Sequence, residues 1–195
     1  MSTADRDKWD ERYRTGSYSA RTHPTQLLAD WLEALPRGRA LDAACGAGRN
    51  ALFLAEHGYT VDGIDISAVA LERARATATE RGLDIHWMQA DLETGSLPEA
   101  SYDLILLVRY TDAKLIARLA ERLNDGGYLL CEEHLQTDRE VVGPTSANFR
   151  MQPNELLGTA KGLRVIYYRE GLVEDPDGRT AALAQLIACR GAAGF

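Results

Sequence analysis

Residues 41–55 read "LDAACGAGRNALFLA". A short apolar run ends in the acid Asp42, four residues before the first glycine of a Gly46-Ala47-Gly48 turn, and a helical pattern follows. The stretch therefore predicts a buried strand over 39–45, a tight turn, and a helix over 48–57 that stops at His57-Gly58. Within it, "GAGRNA" (46–51) fits the nucleotide fingerprint G-x-G-x-x-G/A, with Ala51 in the third place.

The same alternation runs outward along the chain. Upstream, "PTQLLADWLEAL" (24–35) puts Leu27, Leu28, Trp31, Leu32 and Leu35 on one helical face behind Pro24. Downstream, "YTVDGIDIS" (59–67) is a strand, and Ser67 caps a helix running to Arg81 before Gly82. Strands are predicted at "DIHWMQA" (84–90), "SYDLILLVR" (101–109) and "GGYLLCEEHL" (126–135), with an amphipathic helix over 112–123. A short helix is expected over 154–160. "LRVIYYREGLV" (163–173) and "RTAALAQLIACR" (179–190) flank the turn signal "EDPDG" and close the chain as a hairpin. Strands alternating with helices imply an α/β, doubly wound, mostly parallel sheet covered on both faces. Ligands bind beyond the carboxyl ends of such strands.

Bulk properties narrow the class. The 195 residues read as one domain. No apolar run reaches the length of a membrane span, and the charged N-terminal stretch "MSTADRDKWDERYRTG" is no secretory signal. Cys45, Cys131 and Cys189 form no CxxC pair, which disfavours a disulfide framework or a structural zinc and suits the cytoplasm. A net charge of −7 disfavours nucleic acid as partner and leaves a small molecule as the expected one.

Asp42 decides what the glycine turn holds. A diphosphate there would sit near a carboxylate, and like charges about 4–6 Å apart cost on the order of 1 kcal/mol or more at a partly buried site. A ligand bearing an ammonium and a sulfonium is attracted instead, and S-adenosyl-L-methionine carries both. Asp65, 17 residues after Gly48 at the end of the second predicted strand, suits ribose hydroxyls. Asp91, in "MQADLE", ends the third and suits an adenine amino group, with Ala90 or Leu92 offering a backbone N–H. Ile66 packs on the adenine face or fills the core. Arg49 meets the methionine carboxylate or an acid of the N-terminal segment.

The set "LDAACGAGRNALFLA", "VDGIDIS", "QADLE" and "YDLILLVRY" resembles the successive motifs of class I S-adenosylmethionine-dependent methyltransferases. "KWDERYRTG", "GRN", "GP", "NEL" and "YYREG" resemble the small tellurite-resistance and thiopurine enzymes of that class. The resemblance implies a seven-stranded sheet with an antiparallel last strand. It implies that Gly46 and Gly48 touch the methionine part, Asp65 the ribose and Asp91 the adenine, with Asp42 and Val108 beside the cofactor. No Asn-Pro-Pro-Tyr-type tetrad follows the fourth strand, which disfavours methylation of base or amide nitrogens.

The remaining expectations concern the acceptor. Arg109 and Tyr110 follow the fourth strand and face the transferring methyl. His134 and His23 are candidate bases, and Glu132 and Glu133 either orient the acceptor or sit as surface charges. Residues 1–23, with Trp9 and Tyr13 on one helix face, form a lid or a docked segment, and 136–160 form an acceptor-side insertion. Cys45 is a small buried thiol. The reaction implied is methyl transfer to a small acceptor, possibly a soft thiol or chalcogen nucleophile. A nicotinamide-dependent oxidoreductase, a non-catalytic binding module and a macromolecular methyltransferase are the alternatives.

Overall fold

A computed structural model describes residues 3–19 and 21–192. Seven strands make one sheet in the order β3-β2-β1-β4-β5-β7-β6. They are β1 Arg39–Ala43, β2 Thr60–Asp65, β3 Ile85–Gln89, β4 Tyr102–Val108, β5 Leu123–His134, β6 Arg164–Glu174 and β7 Thr180–Cys189. The first five run parallel, and β7 enters between β5 and β6, antiparallel to both. The helices are α1 Thr3–Arg14, α2 Gln26–Trp31, α3 Arg49–Glu56, α4 Ala68–Glu80, α5 Ala113–Ala120 and α6 Glu155–Thr159.

Period-two alternation sends neighbouring residues of each strand into two separate cores. Leu41, Ile105, Leu107, Leu129 and Leu186 pack with Leu115, Ile116 and Leu119 of α5. Ala40, Val61, Leu104, Leu106 and Ile187 pack on the opposite face with α2 and α3. The near-continuous apolar runs of β4 and β7 are what a strand covered on both faces requires. This settles "RTAALAQLIACR" as a strand despite its helix-like alanines and leucines.

Local chemistry sets most boundaries. Ser67 caps α4 by accepting from the Ala70 N–H at 3.1 Å, and Asp112 caps α5 through the Lys114 and Leu115 N–H groups. Two expected helices are shorter than their periodicity. α2 gives way at Leu32 to a 3-10 turn, because Pro36 pushes Leu35 into the extended region (ψ 143°). α5 ends at Ala120, and Leu123 pairs with Tyr102 as the first residue of β5.

One buried charge is fully built in at the amino ends of the strands. Asp62 accepts from Arg39 Nε and Nη2 (3.0 and 2.7 Å), the Tyr102 hydroxyl (2.7 Å) and His86 Nδ1 (3.1 Å). This network ties β1, β2, β3 and β4 together at the end opposite the candidate site.

Candidate active site

The connection from β1 to α3 is a contorted backbone. Ala44 and Gly46 both adopt φ +55°, and Gly48 adopts φ +80° as the residue that opens α3. Positive φ is costly for alanine, so Ala44 marks a strained position of the kind that accompanies binding sites.

Three acids hold this region through hydrogen bonds to backbone N–H groups, Asp65 bridging from the end of β2 to the β1–α3 connection. Asp42, 1% exposed, accepts the Ala51 N–H at 3.0 Å. Asp65 accepts from the Gly46 N–H at 2.7 Å and the Ser67 N–H at 2.8 Å. Asp91 accepts from the Glu93 N–H and the Thr94 hydroxyl, shaping the turn after β3. Burial pushes the Asp42 carboxyl up to about 7, against the pull of the Ala51 N–H and Arg49. Asp65 is also raised, by burial first. The structure thus spends these carboxylates on backbone N–H groups at the strand ends and leaves two of them charged only at a cost.

The two glycines do different work. A Cβ on Gly46 would lie 2.2 Å from the Tyr13 hydroxyl, so the turn is covered by α1. A Cβ on Gly48 would lie 2.5 Å from the Trp87 ring, and the same ring abuts Gly63. Gly48 is therefore required for packing against β3, whatever else passes over the turn. Ile66 is half-buried, its carbonyl accepting from Gln89 Nε2. Leu92 is buried in the core beside α5, and Val108 is partly buried on the opposite face.

α1 lies across the carboxyl ends of the strands. Asp10 accepts the Ser67 hydroxyl at 2.6 Å and the Val69 N–H at 3.3 Å, docking α1 on the start of α4. Tyr13 is buried beside Gly46, and burial, followed by the Asp65 charge, raises its phenol. Trp9 and Tyr13 both stack against Tyr18. Cys45 is buried, and burial pushes its thiol well up, which suits an unreactive side chain.

The half of the site over β4 to β7 is a charged cluster. Arg109, at φ +61°, is clamped by Glu132 (3.2 Å) and by both oxygens of Asp175. Gln185 takes the other Glu132 oxygen at 2.9 Å. Tyr110 swings away, its hydroxyl 3.4 Å from Glu93. Arg49 donates to the His23 carbonyl at 3.1 Å rather than to an acid of the N-terminal segment. Glu133 is wholly buried, accepts the Thr111 hydroxyl, and is raised well above the usual range by burial. His134 is 5% exposed and packed on Gly143. Burial, then Arg109, holds it down to about 3, so it is neutral at neutral pH. Its Nδ1 and one Glu133 oxygen have no hydrogen-bond partner among the described residues. His23 is exposed. Sequence reasoning passed over Asp175, in a stretch that signals only a turn, and Asn50, whose buried amide accepts the Thr25 N–H at 2.9 Å.

Comparison with known proteins follows this geometry. Residues 40–127 match the family described as "Methyltransferase domain". "Probable S-adenosyl-L-methionine-dependent methyltransferase TehB" of Haemophilus influenzae is 28% identical over 167 residues, 80% of this chain and 58% of that protein. The crystal structure of TehB from that organism superposes with a TM-score of 0.76 at 25% identity, covering 90% of this chain and 66% of the other. "Aklanonic acid methyltransferase DauC" of a Streptomyces species is 38% identical over 109 residues, 51% of this chain and 50% of that protein. The chain thus spans under two thirds of the length of these two curated relatives. In strand order, in the carboxylate-held glycine turn and in these matches, the chain is similar to methyltransferases of the class I S-adenosylmethionine-dependent type, with the methyltransferase domain match over residues 40–127.

Proposed function

We propose that the chain transfers a methyl group from S-adenosyl-L-methionine to a small-molecule acceptor, a soft thiol or chalcogen nucleophile being the preferred class. The observation that supports this is the occupation of the turn's donors. A diphosphate needs free backbone N–H groups where a helix begins. Here the Ala51 N–H belongs to Asp42 and the Gly46 N–H to Asp65. Buried carboxylates that are costly to ionise suit a cationic occupant, whose arrival lowers that cost. The residues present therefore fit this cofactor and disfavour a dinucleotide.

The cofactor supplies an electrophilic methyl on sulfonium, and the chain supplies position. Asp65 holds the Gly46 backbone, and Tyr13 on α1 packs directly over that turn. Covering by α1 excludes water, and holding the reactants in line supplies most of the acceleration. A thiolate or chalcogen anion needs no strong base at the site. That agrees with a His134 held neutral by burial and enclosed by Gly143.

Isothermal titration with S-adenosylhomocysteine and with NAD tests the reading. Binding of the former and none of the latter is expected, and Asp65→Ala should weaken it ~10- to 100-fold through loss of charge-assisted hydrogen bonds. NAD binding, or an unchanged affinity in the variant, overturns it. Single-turnover methyl transfer to thiol, chalcogen oxyanion and amine acceptors then separates an enzyme from a binding module.

A further inference from the structure

The carboxyl ends of β4 and β5 bring together groups that the methyl-transfer reading does not use. Glu133 is 0% exposed. Its Oε2 lies 3.3 Å from the Thr111 hydroxyl, and its Oε1 has no hydrogen-bond partner among the described residues. The same hydroxyl lies 3.1 Å from the carbonyl of Phe149, in the 147–149 turn. That turn belongs to the connection between β5 and β6, so one hydroxyl joins it to the connection between β4 and α5. None of the turn's residues is buried, and the Phe149 ring is 56% exposed, so packing does not hold it there.

The number of protons available decides the state of this group. A threonine hydroxyl donates one proton, whereas a carbonyl and an ionised carboxylate only accept. With Glu133 ionised, the Thr111 proton serves Glu133 or Phe149 but not both. The other contact then sets lone pair against lone pair, beside a buried carboxylate oxygen that has no donor. A proton on Oε2 removes both conflicts. Glu133 donates to Thr111 Oγ1, Thr111 donates to the Phe149 carbonyl, and the bare Oε1 belongs to a neutral group, whose burial costs far less. The electrostatic surroundings agree. Burial comes first in raising Glu133, and Glu132 on the same strand adds to it; the Tyr110 N–H, Thr111 and Arg109 oppose this without offsetting it. Cys131 of β5 is a thiol that burial pushes well up, and Ala184, the facing residue on β7, carries no charge.

We propose that Glu133, as a neutral carboxylic acid, is a positioning residue: by donating to Thr111 it directs the threonine hydroxyl at Phe149 and latches the 147–149 turn onto the β4–α5 connection. Thr111 lies two residues after Arg109, whose guanidinium reaches Asp175 in the β6–β7 turn at 2.8 Å. One protonated carboxyl thus orders both the connection that carries Arg109 and the turn that meets it. Loss of the proton reverses the outer bond. A carboxylate is the stronger acceptor, so Thr111 turns back to Glu133 and the Phe149 carbonyl is released. The latch lies beside the cluster of Arg109, Glu132 and Asp175 and does not depend on the methyltransferase reading.

Infrared difference spectroscopy of the full chain at pH 7 reads the proton. Subtracting the spectrum of Glu133→Gln from that of the unaltered protein should leave the carbonyl band of a protonated carboxylic acid, and it removes the raised Asp42 and Asp65 carboxyls. Carboxylate bands in its place overturn the proposal. Thr111→Val deletes the acceptor of that proton and should shift the band to higher frequency, whereas Thr111→Ser should leave it in place. Hydrogen exchange read by mass spectrometry follows the turn, in which the Phe149 and Arg150 amides bond to the Ser146 and Ala147 carbonyls. Peptides covering 147–150 should exchange about fivefold faster in Thr111→Val, the effect of one lost hydrogen bond. Thr111→Ser should exchange at the unaltered rate, as should Glu133→Gln, whose side-chain amide replaces the acid as donor. An unmoved band or unchanged exchange in folded Thr111→Val overturns the latch. As pH rises, exchange in the unaltered protein should overtake that of Glu133→Gln only as the acid band disappears. Overtaking while the band persists, or loss of the band without overtaking, also overturns it.

Discussion

Asp42 gives the most discriminating test, because its burial has a calculable consequence for folding. The carboxyl has an ordinary value of 3.8 and is raised to about 7 in the folded chain. The native state therefore holds a proton that the unfolded chain has released over that interval. The favourable contribution of the protonated group is complete below about pH 4 and is lost as pH rises through 7. At about 1.4 kcal/mol per pH unit the loss reaches ~4 kcal/mol by pH 8. Asp42→Asn removes the titration while its amide oxygen remains able to accept the Ala51 N–H. Urea unfolding of both proteins at half-unit steps from pH 5 to 8 gives the comparison. The stability of Asp42→Asn relative to the unaltered protein should climb by roughly 2–3 kcal/mol across that range and level off above pH 7. Differencing cancels the slope from Glu133, which is raised in the same sense. It also cancels the opposite slope from His134, whose depressed value costs stability as pH falls from 6.5 towards 3. Parallel curves would show that Asp42 is not held in its neutral form, and the argument for a cation-seeking crevice would lose its energetic basis.

Two further changes probe the frame around the site. Asp62→Ala leaves the buried Tyr102 hydroxyl without its acceptor, while the half-exposed Arg39 returns to water, and it should cost about 1–3 kcal/mol, read as a lower urea midpoint, without altering S-adenosylhomocysteine affinity in the folded fraction. Gly48→Ala drives a methyl into Trp87 at a backbone angle that L side chains avoid, so a loss of about 1–3 kcal/mol is expected; Trp87→Leu in the same chain should recover part of it.

The sequence made legible those features whose causes are local. Alternation of strand and helix, the cap Ser67 and the glycine turn depend on neighbouring residues, and each lies where its pattern puts it. Leu123 looked helical because it extends the apolar stripe of α5, but pairing with Tyr102 claims it for β5. The candidate site was legible as a list of acids and less so as an arrangement. That Asp65 holds Gly46, that Trp87 sits under Gly48, and that Arg109 reaches Asp175 are contacts across 19, 39 and 66 residues. Local spacing encodes none of them. Arg21 and Asp175 carried no motif, and only the return of the β6–β7 turn towards the start of α3 places them at one cleft.

The insertion of β7 between β5 and β6 has a consequence for synthesis. β5 is central in the finished sheet, yet its second neighbour is the last strand to emerge, and until residue 189 is free the row of amides from Tyr128 to His134 has no partner on that side. A nascent chain halted at residue 178 therefore presents an open apolar border that invites another chain. Chaperone cover, or swift release of the final strand, is the natural remedy for a molecule whose sheet is completed from its middle.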